Sequence, residues 1–176
     1  MQRSDAELVK AACAGDVDSF RELYERHYRV ALGIARSRLF DRHLAEDAVQ
    51  EAFATACRRL HSLRNADRFP EWLGTLCRRT ASRMARCRSN ETPIEHEPAA
   101  SSDGDHHAVT EVRDAMKRLS ASAQEVIQLH YFSGLSYDEI ARVLGISPQA
   151  VHGRMQRARR VLARRLSRTS EEGPDR

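Results

Sequence analysis

Apolar side chains recur along this chain at spacings of three and four, the period of amphipathic helices. Ser4, Asp5, Ala6 and Glu7 form a capping box ahead of Leu8, Val9 and Ala12, and Gly15 with Asp16 ends that short helix. Phe20, Leu23, Tyr24, His27, Tyr28, Ala31, Ile34 and Ala35 then mark one face of a helix over 17–39. Leu44, Ala48, Ala52, Phe53, Ala56 and Leu60 mark another over 42–61, with Glu46, Asp47 and Glu51 on its exposed side. Asn65, Ala66 and Asp67 break the pattern. Phe69 and Pro70 start the next helix, proline fitting its first turn, and Trp72, Leu73, Leu76, Thr80 and Met84 form its inner stripe with Trp72 as a buried anchor.

Between 88 and 107 apolar residues nearly vanish while Pro93, Pro98, Gly104, serines and acids accumulate, the composition of a flexible linker. Beyond it the periodicity returns over 109–119. Ser122 to Glu125 reads as a second capping box opening a helix over 126–132, stopped by Ser133 and Gly134. Ser136 to Glu139 is a third, leading Ile140, Ala141 and Leu144 to a left-handed stop at Gly145. Ser147 caps the last helix, with Pro148 at its first position. The expected fold is all-α: two small helical domains, 1–87 and 109–168, joined by an acidic linker over 88–108 and followed by a disordered tail over 169–176.

Composition supports this, since Ala, Arg and Leu abound while Gly and Pro are sparse. Charge sharpens it. Residues 1–87 hold 16 basic and 12 acidic side chains, 88–110 hold 1 and 5, and 111–176 hold 12 and 8, so two basic blocks flank an acidic strip. Of the 29 cations only Lys10 and Lys117 are lysines, and arginine's planar fork suits phosphate and base-edge contacts. No apolar run is long enough to span a bilayer and Met1 begins no signal-like segment, so a cytoplasmic protein without membrane insertion is expected. Cys13, Cys57, Cys77 and Cys87 lie at wide spacings without a CxxC pair, which points to reduced, mostly buried thiols and no metal.

Function concentrates at the C-terminal end. Short helix, glycine turn and longer helix form a helix-turn-helix over 136–166. On its final helix Val151, Met155, Ala158, Leu162 and Leu166 turn inward, which leaves Gln149, His152, Gly153, Gln156, Arg157, Arg160 and Arg164 outward. Such a face fits a major groove about 12 Å wide, where Arg and Gln read base edges.

From Leu129 to Ser147, continued by Val151 and by Arg154 to Arg160, the chain resembles the second domain of the extracytoplasmic-function sigma factors, minimal sigma-70-type subunits of bacterial RNA polymerase. The stretch from Leu44 to Phe53 resembles the surface of their first domain that docks on the polymerase β′ subunit. Phe69, Pro70, Glu71, Trp72 and Leu73 resemble the start of their −10-recognition helix. The resemblance implies a subunit that binds core RNA polymerase (β′ and β) and promoter DNA, is held by an anti-sigma factor, and carries neither catalytic residue nor cofactor. It places polymerase docking on Asp47, Gln50 and Glu51. It places capture of a flipped −10 base on the loop from Leu63 to Arg68, where the chemistry of Asn65 suits a base edge, and by their own charge Arg58, Arg59, Arg78, Arg79 and Arg83 suit a phosphate-tracking groove. Contacts to the −35 duplex fall on Gln149, His152, Gly153, Gln156, Arg157 and Arg160.

Two departures stand out. Cys77, Arg78, Arg79 and Arg83 occupy the helix where the family commonly carries Asn and Asp, and Ala150, Val151, His152 and Gly153 replace its usual Thr-Val-Lys/Arg-Ser. Two other readings compete: a helix-turn-helix regulator that is no polymerase subunit, and a metal or thiol sensor built on Cys87, His96, His106 and His107.

Overall fold

A computed structural model of the chain describes residues 3–89 and 103–171, all helix and turn without a strand among them. The N-terminal half holds α1 (Asp5–Cys13), α2 (Val17–Arg36), α3 (Arg42–Arg59) and α4 (Phe69–Ser89), with one-turn 3-10 helices at Leu60–Ser62 and Ala66–Arg68 between the last two. The C-terminal half holds α5 (Asp103–Lys117), α6 (Ala121–Ile127), a π-helical turn over Gln128–Phe132, α7 (Tyr137–Leu144) and α8 (Pro148–Glu171). Residues 90–102, the heart of the expected linker, and 172–176 of the expected tail lie outside the described residues.

Local chemistry sets most helix starts. Ser4 and Glu7 close the first capping box, Asp16 and Asp41 cap α2 and α3 through their carboxylates, and Ser136 and Glu139 close the box on α7. One expected box fails: α6 is capped by Ser120, whose hydroxyl accepts from Ala123 N, while Glu125 is buried and turned to other partners. A second correction concerns the thiols, because only Cys77 is buried and Cys13, Cys57 and Cys87 are exposed. Each lies on the outer face of its helix, whereas Cys77 shares the inner stripe of α4 with Leu73, Leu76 and Ala81. Trp72 is half-buried against the core, its ring 6.1 Å from Phe69.

In the N-terminal half α2, α3 and α4 pack on one another and α1 lies on α2; in the C-terminal half α5, α6 and α7 each pack on α8. The halves do not stand apart. A single apolar cluster runs from Leu8, Leu23, Ile34 and Phe69 through Leu129, Ile140 and Met155, side chains whose removal from water stabilises the fold by about 1.5–3 kcal/mol each.

Two glycines let the halves meet closely. A Cβ on Gly33 of α2 would come 2.4 Å from Ser133 Oγ, and one on Gly74 of α4 would come 3.2 Å from the Val143 carbonyl oxygen. Beside this contact an open cleft of about 900 Å³, lined more by apolar groups such as Val30, Leu135 and Ile146 than by polar ones, separates His27, Arg68 and Glu71 from Asp138, Arg142 and Gly145.

Candidate nucleic-acid and protein interfaces

The helix-turn-helix is assembled by its caps. Ser136 Oγ accepts from Glu139 N, while Glu139 Oε2 accepts from the Ser136 hydroxyl at 2.7 Å and from Ser136 N at 2.8 Å, two bonds that hold the Glu139 carboxyl below its usual range. Gly145 ends α7 at φ +65°, a left-handed conformation costly for other residues, and Ser147 Oγ accepts from Ala150 N to start α8. Val151, Met155 and Ala158 are buried, which fixes the rotation of α8 about its axis. Gln149, His152, Gln156, Arg157 and Arg160 are consequently exposed on one side, with Gly153 half-exposed among them.

Behind this face lies a column of rings. His130 in the π turn donates from Nδ1 to the Leu135 carbonyl at 2.9 Å, and its ring meets Tyr137 edge-on at 5.3 Å. Tyr137 in turn meets His152 at 5.8 Å, and His152 Nε2 lies 2.8 Å from Gln156 Nε2. Arg159 donates to the Tyr131 hydroxyl at 2.9 Å on the neighbouring surface. Neither Tyr137 nor His130 was singled out by periodicity, which reports burial but not ring stacking.

Asp47, Gln50 and Glu51 are exposed within about one turn of α3. Glu51 accepts both contacts from Arg83 Nη2 across to α4, so a residue of the expected docking face is paired with one of the expected −10 set. Arg58 donates to Thr55 Oγ1, Arg59 and Arg79 are exposed, and Asn65 uses its Oδ1 to accept from Asp67 N.

Arg78 parts from the other five. Its Nε donates to Glu125 Oε1 at 2.8 Å and its Nη2 to the Val143 carbonyl at 3.3 Å, both in the C-terminal half. Arg38 lies 3.8 Å from the other Glu125 oxygen, with its Nε buried and unbonded. Burial pushes the Glu125 carboxyl above its usual range despite the opposing charges of Arg78, Arg38 and Arg154. Around this pair, Arg29 donates through Nε and Nη2 to the Phe132 carbonyl, Ser133 Oγ donates to the Arg29 carbonyl, and the Arg36 guanidinium sits 4.6 Å over the Phe132 ring. A capping-box pattern at Ser122 masked Glu125, and no local signal links it to Arg78.

Of the sensor candidates, Cys87 is an exposed free thiol on α4, His106 and His107 lie on α5, and His96 is outside the described residues. Among the described residues no helix is long and apolar enough to cross a membrane.

Known proteins share both halves. The family described as Sigma-70 region 2 matches residues 23–91, and Sigma-70, region 4 matches 110–162. The chain is 32% identical to the ECF RNA polymerase sigma factor SigM of Mycobacterium tuberculosis, over 94% of this chain and 86% of that one. It is 27% identical to the RNA polymerase sigma-H factor of Pseudomonas aeruginosa, over 94% and 95%. Among solved structures, CnrH in complex with the cytosolic domain of CnrY aligns over 93% of this chain and 97% of its own at 28% identity, with a TM-score of 0.69. The sigma factor RpoE of Bartonella quintana, in complex with the anti-sigma factor NepR, aligns over 86% and 98% at 25% identity, with a TM-score of 0.58. Matches to region 2 and region 4 in one chain displace the reading of a regulator that acts outside the polymerase. With a helix-turn-helix at one end and a region 2 bundle at the other, the chain belongs to the ECF RNA polymerase sigma factors, promoter-recognising initiation subunits that are not themselves enzymes.

Proposed function

We propose that the N-terminal half, residues 1–87, docks on core RNA polymerase through Asp47, Gln50 and Glu51 and engages the melted −10 strand, while 109–168 read the −35 duplex. The observation that carries this is the exposed face of α8. Burial of Val151, Met155 and Ala158 forces Gln149, His152, Gln156, Arg157 and Arg160 outward together, as groove reading requires. On the −10 side Arg58, Arg59, Asn65, Arg79 and Arg83 offer phosphate and base contacts, and Arg78 joins them once released from Glu125. The acidic segment over 88–108 links the halves.

CnrH and the Bartonella RpoE are each named in complex with a second protein, for RpoE an anti-sigma factor. We extend that mode of control to this chain in the cytoplasm, with the largely apolar cleft between the halves as the place where such a partner enters.

Run-off transcription with purified core polymerase and the chain's own upstream DNA tests the reading. A specific start that requires the chain supports it; no start and no co-purification with core sinks it. Arg157→Ala should weaken promoter binding and leave core binding intact, whereas loss of both would mark a folding defect.

A further inference from the structure

His152 and Gln156 sit one turn apart on the exposed face of α8, with His152 Nε2 and Gln156 Nε2 at 2.8 Å. A carboxamide nitrogen only donates, so in this arrangement the imidazole nitrogen facing it takes the acceptor role. Gln156 thereby gives one N–H to His152 and keeps its oxygen and its second N–H for an outside partner. An acceptor beside a donor is the complement of adenine's N6–H and N7 in the major groove, and it does not match guanine, which offers two acceptors there.

His152 is held in turn. Its ring meets the Tyr137 ring at 5.8 Å and 61°, and Tyr137 meets His130 at 5.3 Å and 66°. His130 is pinned by the Leu135 carbonyl, and Tyr137 opens α7 directly after its capping serine, so both anchors belong to the rigid frame of the motif. Free glutamine side chains lose rotamer freedom when they bind a base; here much of that loss precedes binding. Gly153, between the two, has no side chain to obstruct the approach, and the site of its missing Cβ meets only the Arg157 guanidinium, at 3.7 Å.

We propose that Tyr137, His152 and Gln156 act as one reading unit that selects an adenine in the −35 duplex. Gln156 touches the base, and His152 and Tyr137 are positioning residues that fix its amide. This rests on the assignment of α8 to the −35 element.

The test uses holoenzyme made from core polymerase and the full chain, bound to a promoter library randomised through the −35 element and sequenced after selection. Wild-type holoenzyme should favour adenine at one position by roughly tenfold, the scale of a bidentate base contact. Gln156→Ala and His152→Ala should erase that preference while leaving the other positions and core binding unchanged. Tyr137→Ala should blunt it. His152→Gln restores an acceptor within reach of the amide and should rescue it, as should Tyr137→Phe, which keeps the ring. Selection by the wild type that His152→Ala leaves unaltered, or weakens equally at every position, overturns the reading unit and spares the −35 assignment. If the wild type selects no base anywhere in the −35 element, both fall.

Discussion

Arg78 Nε donates to Glu125 Oε1 at 2.8 Å, joining the helix expected to meet the −10 strand to the half that carries the helix-turn-helix. Glu125 is 4% exposed and lies between two arginines, so its truncation strands their charges at a buried seam. Glu125→Ala should destabilise the chain by roughly 2–4 kcal/mol, in the range for breaking a buried pair and lowered because both arginines retain some water. Denaturant unfolding measures this, and an unchanged midpoint would show that the pair holds nothing together. The milder Glu125→Gln keeps the shape and releases Arg78, so the free chain should bind a −10 single strand several-fold more tightly. Unchanged affinity would remove Arg78 from the DNA-binding set.

Asp5 gives the fold an acid limit. Its Oδ1 accepts from Arg26 and its Oδ2 lies 2.7 Å from His27 Nε2. Burial pushes its pKa up, but the bonds and charges of His27 and Arg26 outweigh that and hold it below the usual value. A depressed folded pKa means that this contribution is present above the unfolded aspartate value, about 3.9, and is lost as pH falls through the lower folded one. Asp5→Asn should cost about 2 kcal/mol at neutral pH, as for a hydrogen bond between charged groups. It should also flatten the stability profile below pH 4, and an equally steep acid limb in the variant would assign that limb to other carboxylates.

Two glycines of the helix-turn-helix should respond in opposite directions. Gly145 stands at φ +65°, and an added Cβ would come 2.7 Å from Glu71 Oε1 in the other half. Gly145→Ala should therefore lose about 1–2 kcal/mol from backbone strain alone. Gly153 sits inside α8, where an added Cβ would make only an ordinary contact with the Arg157 guanidinium, so Gly153→Ala should gain about 0.5–1 kcal/mol. Thermal unfolding of the two variants reads both signs.

Glu51 separates binding from stability. It pairs with Arg83, but both side chains are about half exposed, and such pairs contribute roughly 0–1 kcal/mol. Glu51→Ala should leave the melting temperature nearly unchanged and weaken co-purification with core polymerase. A large drop in stability with normal core binding would make the pair structural instead.

These contrasts also show what the sequence made readable. Helix starts at Ser4 and Ser136, the stop at Gly145 and the inward stripe of Val151, Met155 and Ala158 depend on neighbours within four residues, and each is legible locally. The exposure of Asp47, Gln50 and Glu51 follows from the same periodicity. Glu125 was misread because its spacing from Ser122 imitates a cap while its partners stand 47 and 87 positions earlier in the chain. The ring column from His130 to His152 was missed for a related reason: it depends on a π turn over Gln128–Phe132, which hydrophobic spacing does not distinguish from continued helix. The three exposed cysteines show the converse limit, since a residue type that prefers burial still follows the face of the helix it occupies.

Gly33 and Gly74 each forgo about 0.5–1 kcal/mol of helix stability relative to alanine, and both lie where the C-terminal half rests on helix backbone. The closed arrangement is thus encoded partly by atoms left out. A methyl at either position would strengthen its own helix but press on the facing half, on the Ser133 hydroxyl at Gly33 and on the Val143 carbonyl at Gly74. The fit between the halves is therefore set at two positions that belong neither to the groove-reading face of α8 nor to the acidic face of α3.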